Sequence, residues 1–130
     1  MSLITAVPES FDNDLVYYIA GPMSGIEEFN YPAFDHAMDI CEKLDIRCMS
    51  PHAPFRNDSP ELHASRSYQW HISSALRMQL RCDGIILLPG WSTSKGARRE
   101  FDIALDLGWK AWYLDDYMGI VSLRPLDRLR

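Results

Sequence analysis

The chain is built from short, uniformly apolar runs that alternate with stretches of helical spacing. Leu15-Val-Tyr-Tyr-Ile-Ala20 is the first run, and it stops at Gly21-Pro22. A run this short, bounded by breakers, predicts a buried strand feeding a turn. Asn30-Tyr31-Pro32 then opens a helix, with Asn30 or Tyr31 near the cap and Pro32 suited to the first turn. Phe34, Ala37, Met38, Cys41 and Leu44 follow at helical spacing and are expected to face the core. Ile46 to Met49 predicts a second short strand, stopped by Pro51. Residues 51–66 hold three prolines and many polar groups, which predicts a long loop of the kind that often serves as a lid or binding loop.

Tyr68 to Leu80 predicts a second helix, with Ile72, Ala75, Leu76 and Leu80 as its apolar stripe. Gly84-Ile-Ile-Leu-Leu88 is the clearest strand, apolar throughout, as expected of a central parallel strand buried on both faces. A turn over residues 89–94 leads into a third helix, Lys95 to Leu107, with Ala97, Phe101, Ala104 and Leu105 inward and Gly108 at its end. Ala111 to Leu114 predicts a fourth strand. Residues 1–14 read as a loosely ordered lead-in, and the segment from Asp115 onward is ambiguous. Strands alternating with helices predict one α/β domain over residues 1–130, with a parallel sheet of about four to five strands and helices on both faces. Such sheets bind ligands beyond the carboxyl ends of their strands, so loops 21–30, 50–67 and 89–96 are where function is expected.

Charge narrows the partners. The net charge is −5, from 13 basic and 18 acidic side chains, which disfavours a nucleic-acid duplex but permits a small anionic ligand at a locally positive site. Cys41, Cys48 and Cys82 are odd in number, lack C-x-x-C spacing and have apolar neighbours, so they read as buried free thiols in a reducing cytoplasm. No apolar run is long enough for a membrane span, and the N-terminus lacks the pattern of a signal peptide. His36, His63 and His71 show no metal spacing with one another or with the cysteines, so no metal is expected. No cofactor is expected either.

Two glycine loops lie at expected strand ends, Gly21-Pro-Met-Ser-Gly25 and Gly90-Trp-Ser-Thr-Ser-Lys-Gly96. Glycine lets backbone approach a ligand, and a helix N-terminus attracts anions. Simple turns with a serine cap explain both loops equally well. Glu100 lies four residues after Gly96 on one helical face; a solvated or dipole-stabilised Glu is the plainer account. Tyr17 and Tyr18 point to opposite faces of their strand, so one hydroxyl can reach the crevice, or both rings are core. His52 sits after the second strand, either at the crevice or on a surface loop. Trp91 is placed to stack on a base or to pack beneath its loop. Lys95, Arg98 and Arg99 can attract a phosphate or form an ordinary charged face.

Together, three segments resemble the nucleoside 2-deoxyribosyltransferase-like superfamily, which includes deoxynucleoside 5′-monophosphate N-glycosidases and short phage and bacterial relatives. They are Tyr18-Ile-Ala-Gly-Pro-Met-Ser-Gly25, Cys82-Asp-Gly-Ile-Ile-Leu-Leu-Pro-Gly-Trp91 and Ser94-Lys-Gly-Ala-Arg-Arg-Glu100 with its continuation through Ala104 and Leu107-Gly108. The resemblance spans about residues 15 to 114. It implies a Rossmann-like or flavodoxin-like fold, a homodimer or larger homo-oligomer, and a site completed by a neighbouring subunit. The family's nucleophilic Glu falls on Glu100, the Tyr that positions it on Tyr18, and the phosphate-contacting Ser of the monophosphate hydrolases on Ser94. A His after the second strand falls on His52. Gly21, Met23, Ser24, Gly25, Trp91, Ser92 and Gly96 complete the expected substrate-binding set. One position departs from the pattern. The family often has an Asp eight residues before the Asp that begins the central strand; that strand begins here at Asp83, and the matching place holds Ala75. Another group takes the role, or the chain is inactive, or the Ala is an engineered substitution. Asp83 is not a substitute, because the start of a buried strand lies away from the carboxyl-end crevice.

The resemblance implies cleavage of a C1′–N bond through a transition state with oxocarbenium character, with Glu100 beneath the sugar. Hydrolysis of a (deoxy)nucleoside 5′-monophosphate is the leading expectation. Transfer to a second base is the nearest alternative. A non-catalytic nucleotide sensor is another, favoured by Ala75. A cytokinin-activating phosphoribohydrolase fits less well, since its Pro-Gly to Glu spacing is shorter than the one between Pro89 and Glu100.

Overall fold

Gly84-Ile-Ile-Leu87 has no polar side to offer water, and it is buried at every position. It forms the middle of a six-stranded sheet in a computed structural model that describes residues 3–4, 7–117 and 120–126. The strands are β1 (Leu3–Ile4), β2 (Val16–Ala20), β3 (Arg47–Met49), β4 (Gly84–Leu87), β5 (Ala111–Tyr117) and β6 (Ile120–Leu126), in the order β1-β6-β5-β4-β2-β3. β2 pairs in parallel with both β3 and β4, setting Tyr18 beside Ile85 and Ala20 beside Leu87. β5 continues the parallel set next to β4. The chain leaves β2 towards β3 and then crosses back to β4, so strand order reverses between β2 and β4. Crevices of doubly wound sheets open at such a reversal.

The helices are α1 (Tyr31–Lys43), α2 (Pro60–Ala64), α3 (Tyr68–Gln79) and α4 (Lys95–Asp106). Strand alternation sorts the core into two layers. On one face Tyr17, Ile19, Ile86 and Trp112 pack against Phe34, Ala37, Ile40 and Cys41 of α1. On the other, Tyr18, Ala20, Ile85 and Leu87 pack against Phe101 and Ala104 of α4. Helices therefore cover both faces, as the alternating pattern predicts. All three cysteines are free, with Cys41 and Cys82 buried and Cys48 partly so. Among the described residues, no helix is long and apolar enough to cross a membrane.

Four local expectations need correction. The sheet gains β6, which runs antiparallel to β5 with Tyr117 opposite Ile120. Val121 and Leu123 alternate inward along it, a half-buried strand signal blurred by Pro125. The lead-in contributes β1, parallel to β6, and it seats Phe11 against Tyr17 and Trp112 at ring separations of 4.6 and 4.8 Å. The 51–66 segment is not bare loop. It contains a 3-10 turn at Ala53–Phe55 and α2, which Ser59 caps by accepting the Leu62 N–H at 3.1 Å while Pro60 occupies the first turn. Finally, the apolar stripe of α3 is not core: Leu80 is 63% exposed, and the one buried side chain of that helix is Gln79. Within the segment that the sequence left ambiguous, residues 118–119 and 127–130, Arg128 and Arg130 among them, lie outside the described residues.

Candidate active site

At the reversal point two glycine loops meet. A Cβ on Gly21 would lie 3.0 Å from the Leu88 Cβ, and one on Gly90 would lie 3.3 Å from the Pro22 ring. Gly90 also has φ +85°, a left-handed conformation that glycine adopts without strain. Asn30 ties the first loop down by donating from Nδ2 to the Pro22 carbonyl at 2.9 Å. Between these loops and α3 opens a crevice of about 540 Å³, within the usual size range of small-molecule sites.

α4 delivers Glu100 to its floor. Side chains lean towards the N-terminus of their helix, so Glu100 points back to the glycine loop and the strand ends. Tyr18 rises from β2 on the same face and donates its hydroxyl to Glu100 Oε2 at 2.5 Å. Burial pushes the Glu100 carboxyl up to about 7, although the Tyr18 hydrogen bond and the Arg99 charge pull the other way. Burial and the Glu100 charge hold the Tyr18 phenol well above its ordinary value, so it remains a donor. Gln79, one turn beyond Ala75 on α3, donates Nε2 to the Glu100 carbonyl at 2.7 Å and pins the two helices together.

The crevice gathers Gly21, Met23, Ser24, Ala75, Ser94, Gly96 and Glu100 of the expected set, with Tyr18 directly beneath. Ser94 also caps α4, accepting the Ala97 N–H at 3.2 Å, and its own hydroxyl hydrogen has no acceptor among the described residues. A Cβ on Gly96 would meet no protein atom within 4 Å, so packing alone does not demand glycine there. Lys95 and Arg99 stand at the mouth, whereas Arg98 does not line it.

Other members of the set lie elsewhere. His52 is buried beneath Tyr31 and Phe34, with Nδ1 on the Ser50 hydroxyl and Nε2 2.7 Å from Asp35. Both nitrogens are consumed by the protein, and Pro51 takes the crevice position instead. Trp91 tilts against Phe101 at 4.8 Å and packs beneath its loop. Ser92 and Gly25 are exposed and outside the lining. Asp83 accepts the Val16 N–H at 3.2 Å at the amino ends of the strands, away from the crevice.

Sequence reasoning passed over Tyr68, His71 and Gln79. The signal was there: residues 71, 75 and 79 follow at four-residue spacing, so two polar groups flank Ala75 on its own face. Among the described residues, no group of three or more His, Cys, Asp or Glu converges as a metal site requires.

A doubly wound sheet whose switch-point crevice holds a tyrosine-bonded carboxyl beside two glycine loops defines a Rossmann-like α/β domain. The chain belongs to the domain family of unknown function DUF4406, whose model matches residues 15–113. That span opens at the edge of β2 and closes inside β5, so it contains every residue named at the crevice, while β1 and β6 lie outside it. No curated protein matches the chain.

Proposed function

We propose that this domain is a nucleoside 2-deoxyribosyltransferase-like N-glycosidase that hydrolyses a (deoxy)nucleoside 5′-monophosphate to free base and sugar phosphate. The observation that carries the reading is the Tyr18–Glu100 pair at the crevice floor. A carboxylate held by one hydrogen bond, half withdrawn from water, is suited to stabilise an oxocarbenium-like carbon or to attack it. In this reading Glu100 bonds to C1′ as the C1′–N bond breaks. Water then cleaves the glycosyl ester and frees the carboxylate. Tyr18 orients the carboxyl throughout. Ser94, Lys95 and the Gly21–Ser24 loop cradle sugar and phosphate, supported by the hydroxyl and cation at the α4 N-terminus. The chain acts in the cytoplasm as a homo-oligomer, which suits the exposed Ile26 and Tyr68 at the rim.

Base release, followed by chromatography over a panel of deoxy- and ribonucleotides and nucleosides, tests this. The expected result is release from at least one monophosphate, abolished by Glu100→Ala. Transfer to an added second base would move the reading to a transferase. Ala75 favours one competitor, a nucleotide sensor, and tight binding with no base release from the chain or from Ala75→Asp would establish that instead.

A further inference from the structure

The wall that α3 turns towards the crevice carries Tyr68, His71, Ile72, Ala75 and Leu76. Of these, only His71 carries an imidazole, the side chain most often used to pass a proton to a leaving group. It precedes Ala75 by one turn and shares its face, and the Gln79–Glu100 bond holds that face against α4. The ring is clamped, stacked on His63 at 4.4 Å and edge-on to Trp70 at 5.2 Å. Its Nε2 lies 3.3 Å from the His63 carbonyl, an acceptor, so that nitrogen bears a hydrogen. Its Nδ1 has no hydrogen-bond partner among the described residues.

We propose that His71 is the general acid that protonates the departing base, filling the role left open by Ala75. The inference rests on the N-glycosidase reading. In the first step a Glu100 oxygen bonds to C1′, the C1′–N electron pair passes to the base nitrogen, and that base takes a proton from the His71 imidazolium. In the second, water attacks C1′, Glu100 leaves as carboxylate, and the water proton returns to His71. The sum is nucleotide plus water to base plus sugar phosphate. Of the stacked pair, His71 is the one that lines the crevice; His63 does not.

The test compares an ordinary purine nucleotide with its N7-methylated counterpart, whose cationic base departs without needing a proton. His71→Gln keeps an N–H for the His63 carbonyl but cannot serve as an acid; His71→Ala is the second variant, and thermal melts check that both fold. His71→Gln is expected to slow release of the ordinary base about 100-fold or more while changing the methylated substrate less than about threefold. Adding Ala75→Asp to His71→Gln is expected to recover about tenfold on the ordinary substrate. Equal losses on both substrates, or no loss on either, overturn the role of His71 and leave the N-glycosidase reading standing. A parent chain that releases neither base overturns both.

Discussion

The Tyr18 hydroxyl and the Glu100 carboxyl meet at 2.5 Å, although one belongs to a central strand and the other to a helix 82 residues later. Their meeting depends on alternation. Tyr17 and Tyr18 are neighbours, yet Tyr17 donates to the Asp12 carbonyl on the opposite side of the sheet. A one-residue slip of β2 would exchange their roles.

This bond opposes burial in setting the Glu100 pKa. Tyr18→Phe removes a donor that favours the charged carboxylate, so the carboxyl is expected to rise above its present value near 7. In the proposed N-glycosidase mechanism ionised Glu100 is the reactive form, so the acidic limb of kcat/KM should move to higher pH. At neutral pH the variant should lose roughly tenfold or more. A pH–rate profile checks this, and an unmoved limb would mean that the hydroxyl does not sense the carboxylate charge.

The same shift has a stability counterpart. The folded carboxyl titrates near 7, above the ordinary value of 4.5. Between these values the native state binds more protons than the unfolded chain, so stability falls as pH rises through the window and levels off above it. Glu100→Gln removes that dependence. Its Tm should exceed the parent's by several degrees at pH 8, with the advantage shrinking towards pH 5. A parent that becomes more stable relative to the variant on going from pH 5 to 8 would contradict the buried placement of this carboxyl.

Much of this was legible in the chain, for identifiable reasons. Gly84–Leu87 and the Ala97, Phe101 and Ala104 stripe are local patterns with one physical solution each, and they appear as read. Ile72, Ala75 and Leu76 carry the same spacing but line a crevice, because periodicity identifies an apolar face and not what occupies the space before it. His52 shows a different limit. Its position after β3 was read correctly, but whether a histidine faces a ligand or its own Asp35 depends on a partner 17 residues away. β6 was hidden because its pairing with β5 is a tertiary fact.

Two glycines should respond in opposite ways to a methyl group. A Cβ on Gly84 would lie 2.5 and 2.7 Å from the Tyr17 ring, which is buried and stacked on Phe11. Gly84→Ala should therefore cost about 1–3 kcal/mol through overpacking. Gly96 lies inside α4 with open space where its Cβ would be. Gly96→Ala should gain up to about 1 kcal/mol from helix propensity, yet raise the KM for a nucleotide whose phosphate approaches the backbone there. Denaturant melts and steady-state kinetics separate the two effects, and a Gly96→Ala variant with unchanged KM would remove that residue from the binding surface.

His52 offers a direct contrast between a buried structural histidine and a substrate ligand. The residue is 1% exposed, and its two ring nitrogens bond Ser50 and Asp35. Asp35 also pairs with Arg56. Burial pulls the Asp35 carboxyl up, but the His52 and Arg56 interactions outweigh it and hold it below its usual value. His52→Ala opens a cavity under Tyr31 and Phe34 and leaves the buried Ser50 hydroxyl without a partner. The expected cost is about 2–4 kcal/mol of stability. The KM measured well below the variant's melting temperature should stay within about twofold, since a ring that touches no crevice surface has no uniform binding to lose. A tenfold rise in KM with stability intact would return His52 to the substrate, and would require the 50–56 segment to move when ligand binds.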